Sequence, residues 1–377
     1  MRCRINLSSR LLPVWLIALC LLWDCLSAAG MPPQQTIGRI VSKHVLIRLP
    51  SEREWLGQET ISDLESCYVF MDKTTGGSLP SRVLVNISWD QPVCSVHPGD
   101  AAVTIGMDNP AAAANSRKYL LHHAAKAMAR LGLLELSKGG ADRAENRFLL
   151  EGMTEILACE YEHSSRSLSA AWARCHLMNR MEALSLSALA SWDRFSGGRE
   201  DQRAASPGIT FLLTCREVSN RDRLLKLFEG LRGKSLAESL NAAVKSNAAA
   251  LENMWLEKVR TYRVSEDSAG ATDEDVPKLE RTDMEPQAGV PGQGLQIRVT
   301  IRDRSGDLFP GTIFLEDGES GPVLSAQPQP DAARRDVYFS LPVPKDRNPG
   351  RYEYRLIAVD ETGNVRIWLG AYMVGSE

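Results

Sequence analysis

The stretch YLLHHAAKAMA, residues 119–129, decides how this chain is read. A helix carrying H-E-x-x-H holds two imidazoles one turn apart on one face for a zinc ion, with a carboxylate beside them to polarise a water. Here His122 opens that pattern. His123 stands where the carboxylate belongs, and Lys126 stands where the second imidazole belongs. What surrounds the stretch determines how much weight the likeness bears.

The chain has 377 residues, 44% hydrophobic and 24% charged, which suits a globular protein of two or three domains. A formal charge of −3 leaves no basic footprint for nucleic acid. Residues 1–29 read as a secretory signal peptide. Arg2, Arg4 and Arg10 precede the apolar run LLPVWLIALCLLW, and LSAAG supplies small residues for cleavage near Ala29. The run has 13 residues, short of the roughly 20 that a spanning helix needs, so no membrane span is expected after cleavage. Cys67, Cys94, Cys159, Cys175 and Cys215 remain in the mature chain without a C-x-x-C pair. They allow two disulfides in an exported protein, or five cysteines acting as small hydrophobes.

From residue 36 to 106, short β-branched runs alternate with turn residues. HVLIRLP, SRVLVNISWD and AAVTIGM are the expected strands. Between the first two, Trp55, Ile61, Leu64 and Tyr68 recur at helical spacing until Gly76-Gly77 ends the helix. Residues 111–260 are rich in alanine and leucine and read as successive helices. Residues 264–293 are acidic and rich in Pro, Gly and Ser, and are expected to form a flexible linker. Beyond them Leu295, Ile297, Val299 and Ile301 alternate with polar residues. Turn signals follow at residues 348–350 and 362–364. Many short strands in about 85 residues suggest an antiparallel sandwich.

After YLLHHAAKAMA comes RFLLEGMTEILACEY, residues 147–161, and later a long helical tract ending in LENMWLEKV. This succession resembles the gluzincin metallopeptidases, in particular the peptidase-MA-like domains of exported bacterial proteins. The last segment, with its strand, D-x-x-G-N turn and strand, resembles bacterial immunoglobulin-like modules. The resemblance implies an α+β fold. A signal peptide (1–29) would precede a zincin-like domain (30–263), the acidic linker (264–293) and an all-β immunoglobulin-like sandwich (294–377). It matches His122 to the first zinc histidine, Glu151 to the third ligand and Gly152 to the glycine after it. Phe148 stands where the family usually has tryptophan.

The departures fall on the chemistry. His123 replaces the general base and Lys126 replaces a ligand, whereas catalytic zinc keeps three protein ligands and one open position. His123 is a poor substitute, because adjacent helical residues point about 100° apart. The site His122, His123, Lys126 and Glu151 is therefore expected to be vestigial, with no metal and no catalytic residue. Lys126 is expected to pair with Glu151 where the ion would sit, with His122 alongside. Glu155, one turn after Glu151, shares its face.

Other chemistry reads weakly. Cys159 with His163 and Cys175 with His176 are neighbours in sequence, unlike the distant segments that build thiol dyads. Asn86-Ile87-Ser88 is a glycosylation triplet set in an expected strand. The sequence thus leads to an exported pseudopeptidase without a cofactor, with an envelope protein, a peptide or a glycan as partner. The alternative is a zinc peptidase with a rebuilt metal site, and a third reading is a purely structural envelope component.

Overall fold

The computed structural model describes residues 37–108, 110–191, 202–244, 246–267, 276–304, 308, 312–318, 321–328, 336–360 and 362–375. The expected signal peptide lies outside the described residues. The architecture is α+β, with a mixed sheet, a helical body and two further sheets.

The first sheet has the order β1-β2-β3-β5-β4. Its strands are β1 (Ile37–Val41), β2 (Val45–Pro50), β3 (Val83–Ser88), β4 (Ser95–His97) and β5 (Ala102–Gly106). β2, β3 and β5 run parallel, with antiparallel β1 and β4 at the edges. Helix α1 (Glu54–Thr74) makes the crossover from β2 to β3 and ends before Gly76 and Gly77, both in the left-handed region that glycine adopts freely. Val45, Ile47, Val83 and Val85 are fully buried, and Leu46, Arg48, Leu84 and Asn86 on the alternate face are only half-buried. One face therefore packs on helices and the other stays partly open. Trp55 does not join the core as its spacing implies. It is 51% exposed, and Leu56, Leu64, Cys67 and Met71 form the buried stripe of α1 instead.

The helical body follows as α2 (Pro110–Ala114), α3 (Ser116–Ser137), α4 (Arg147–Tyr161), α5 (Arg166–Met181), α6 (Leu186–Leu189), α7 (Gln202–Glu217), α8 (Arg221–Gly230), α9 (Leu236–Val244) and α10 (Ala248–Thr261). Asn115 caps α3 by accepting a hydrogen bond from the backbone N–H of Lys118. Helices α4 and α7 touch backbone to backbone. A Cβ placed on Gly152 would lie 2.3 Å from the carbonyl carbon of Gly208. Gly152 is thus required by packing. Phe148 beside it is buried and lies edge-on to Phe211.

Two further sheets close the chain, in the orders β10-β9-β13-β14-β7 and β11-β12-β8-β6, antiparallel except where β7 joins β14 in parallel. The strands are β6 (Lys278–Glu285), β7 (Ala288–Gly289), β8 (Gly294–Arg302), β9 (Ile313–Glu316), β10 (Val323–Ser325), β11 (Gln327–Pro328), β12 (Asp336–Pro342), β13 (Gly350–Val359) and β14 (Val365–Val374). Leu295, Ile297, Val299 and Ile301 on one sheet face Leu315, Leu356 and Ala358 on the other across a shared core. The stretch expected as a flexible linker needs correction, because β6 and β7 lie within 264–293. β6 is an edge strand with no fully buried side chain, so backbone pairing with β8 holds it and no apolar alternation marks it.

These sheets also pack on the helices. Phe314, Val323, Ile357, Val359 and Val365 belong to the same buried cluster as the helical core. Arg174 of α5 is 1% exposed and donates from Nε to the Ser206 hydroxyl and from Nη1 to the Asp360 carbonyl, each at 2.9 Å. Arg180 pairs with Glu316 and donates to the Gly321 carbonyl at 2.7 Å.

Candidate functional site

Helices α3 and α4 run antiparallel, which brings residues spaced by one turn on α3 against residues spaced by one turn on α4. Lys126 Nζ lies 2.9 Å from Glu155 Oε2, and the Glu155 side chain is 2% exposed. One turn further along α3, Arg130 pairs with Glu151 and reaches Asp142 at 3.2 Å. One turn back, His122 Nδ1 and Glu162 Oε1 are 2.9 Å apart. The expected Lys126–Glu151 pair is therefore corrected: each carboxylate takes a cation, in a register one turn away from that expectation. Glu151 is bound by Arg130, a residue whose importance the sequence reading missed. The signal available was the matching four-residue spacing of 126 and 130 against 151 and 155.

Burial by itself raises the Glu155 carboxyl. The Lys126 ammonium, His122 and hydrogen bonds from Lys126 and Ser167 outweigh it and hold Glu155 well below the usual carboxylate range. The Ser167 hydroxyl donates to Glu155 Oε1 at 3.0 Å and lies 2.8 Å from Cys159 Sγ. Burial likewise lowers His122, but its hydrogen bond to Glu162 and the charges of Glu155 and Glu162 raise it further, so the net shift is upward. His123 goes the other way. Burial, His122 and Lys126 push it well below an ordinary histidine, so it is a neutral ring, tilted against Tyr119 with centroids 4.1 Å apart. The His122 and His123 rings stand edge to face at 86°, with centroids 5.3 Å apart.

This arrangement does not fit zinc. Lys126 brings an ammonium to the face where a second imidazole would bind. The nearest buried carboxylate already serves that ammonium, and two cations at contact distance repel. Among the described residues, no group of three or more His, Cys, Asp or Glu side chains is arranged to hold a metal ion. Nor are Cys159 and Cys175 activated thiols. Burial first, and then the charge of Glu155, push the Cys159 thiol far up, while Cys175 is pushed up to about 12 by burial. His176 points away from such a role and bonds the Val259 carbonyl at 2.8 Å. Cys67, Cys159, Cys175 and Cys215 carry free thiols.

A cleft of about 170 Å³ opens beside the pair, lined by Tyr119, His122, His123, Glu162 and Ser167 and, from the β13–β14 turn, Thr362. The helices thus present a charged, hydrogen-bonding groove that the β13–β14 turn helps to wall. It is equipped to bind a polar group through His122, Glu162 and Ser167.

No family model and no curated protein sequence matches this chain. Among solved structures it is similar to an aminopeptidase N family protein from Idiomarina loihiensis, with TM-score 0.43 and 9% identity over 90% of this chain and 67% of that one. It is also similar to the alkylpurine DNA glycosylase AlkC of Pseudomonas fluorescens, with TM-score 0.21 and 10% identity over 85% of this chain and 99% of that one. Both are weak likenesses of shape. No helix among the described residues is long and apolar enough to cross a membrane.

Proposed function

We propose that this chain is an exported, catalytically inactive peptidase-like protein. In this reading a zincin-like lobe and an immunoglobulin-like sandwich together hold a peptide, a glycan or an envelope protein. The observation that carries the proposal is the Lys126–Glu155 contact, a buried carboxylate neutralised by an ammonium on the helix that would otherwise ligate metal. A carboxylate so engaged neither binds zinc nor accepts a proton from water near neutral pH. Support for export comes from the basic residues, apolar run and small-residue site of residues 1–29.

The test is metal analysis of the purified protein, peptide hydrolysis with and without added zinc, and the double variant His123→Glu/Lys126→His, which rebuilds H-E-x-x-H. The wild type should hold no stoichiometric zinc and cleave nothing, and the double variant should gain zinc affinity as Glu155 is released. Stoichiometric zinc in the wild type, or hydrolysis that a chelator stops, would overturn the reading in favour of a rebuilt metal site.

A further inference from the structure

A second cleft, of about 350 Å³, lies on the half-buried face of the first sheet, beside the N-terminus of α1. It sits at the carboxyl ends of the parallel strands β2 and β3, where open sheets with helical crossovers present their ligand sites. Arg48, Arg53, Pro50, Asn86, Ser88 and Trp89 line it. Its volume falls in the lower part of the range for small-molecule sites, about 300–1,000 Å³.

The arginines are the unusual feature. Arg48 Nε is buried and has no hydrogen-bond partner among the described residues. A buried N–H of this kind calls for an acceptor. Arg48 also stands directly across from Arg39 in the β1–β2 register, and like charges facing each other on one side of a sheet repel. Arg53 lies over the Trp89 ring, 5.5 Å from its centroid. Two guanidiniums thus border one cleft with an aromatic floor beside them. An oxygen anion would supply the acceptor that Arg48 lacks and screen it from Arg39. Asn86 and Ser88 offer further hydrogen bonds, and Pro50 and Trp89 offer apolar surface. Glu52 and Asp90 on the exposed rim disfavour a highly charged ligand.

We infer that this cleft binds a small organic oxyanion, a carboxylate or phosphate carried on an uncharged apolar body. The Asn86-Ile87-Ser88 triplet then has a role as sheet residues facing a ligand, which differs from that of a glycosylation acceptor.

Calorimetric titration of the full chain with benzoate, with phenyl phosphate and with benzyl alcohol tests this. One or both anions should bind at a single saturable site that weakens with salt, and benzyl alcohol should not bind there. Arg48→Gln should weaken anion binding roughly tenfold, the scale of one hydrogen bond to a charged group. Arg48→Lys should keep part of the affinity. Arg53→Gln, at the exposed side of the cleft, gives the same reading should Arg48→Gln fail to fold. The inference is overturned if neither anion saturates, if benzyl alcohol binds as tightly as the anions, or if the glutamine variants bind like the wild type.

Discussion

Lys126 on α3 and Glu155 on α4 lie 2.9 Å apart, and one turn along each helix Arg130 and Glu151 repeat the pairing. The two contacts act as a ladder that fixes how the helices slide against one another. A shift by one turn would set Lys126 against Glu151 and exchange the ammonium at Glu155 for the His122 ring.

The ladder predicts which substitutions couple. Lys126→Met should destabilise the protein by about 3–5 kcal/mol, the scale for leaving one partner of a buried ion pair uncompensated. In double-mutant cycles from urea unfolding, Lys126→Met and Glu155→Gln should be strongly non-additive. Lys126→Met and Glu151→Gln should add to within about 0.5 kcal/mol. The reverse pattern would restore the pairing expected from the sequence alone.

Acid should act through Glu155. Its folded-state pKa is depressed, so its stabilisation is present above the unfolded-state value and is lost as pH falls toward the folded one. Wild-type stability should therefore drop more steeply below about pH 4.3, the ordinary glutamate value, than that of Glu155→Gln. Equal acid limbs for the two proteins would refute this.

The neighbouring histidines should pull in opposite directions. His122 is raised on folding, so its contribution is present below the unfolded value and fades as pH rises through the folded one. His123 is lowered, so its contribution appears as pH rises through the unfolded value. Near about pH 6.5, where histidine ordinarily titrates, His122→Gln should make the slope of stability against pH more positive, and His123→Gln should make it less positive. Slopes that move together would contradict the assigned environments.

Close packing gives a further expectation. A methyl group at residue 152 has no room against residue 208, so Gly152→Ala should cost about 1–3 kcal/mol, the usual range for overpacking, or more. Unchanged thermal stability would show that α4 and α7 can separate freely.

The contribution of β6 to the C-terminal sheets can be checked with truncated chains. β6 pairs along β8 from Lys278–Arg302 to Glu285–Gln296, so a chain beginning at residue 276 should be more resistant to urea than one beginning at 294. Both should bind a hydrophobic dye, because Phe314, Ile357 and Val359 lose the helices that cover them. A chain from 294 that matches the longer one would return β6 to the linker.

The sequence by itself determined the succession of elements. Period-two alternation marked β2, β3 and β8, alanine- and leucine-rich spacing marked the helical body, and Gly76-Gly77 marked the end of α1, because such signals are local. It also determined that His123 and Lys126 break the metal pattern, since residue chemistry is visible without a fold. The tertiary structure decided the rest. β6 is held by a partner strand, so nothing in its own residues distinguishes it from linker. Trp55 faces outward because the helix turns its buried stripe to the sheet, a rotation that helical spacing leaves open. Above all, only the antiparallel setting of α3 on α4 assigns Glu155 to Lys126 and Glu151 to Arg130. Both carboxylates lie on one helical face, and choosing between them requires the offset of one helix along the other, which is a property of packing.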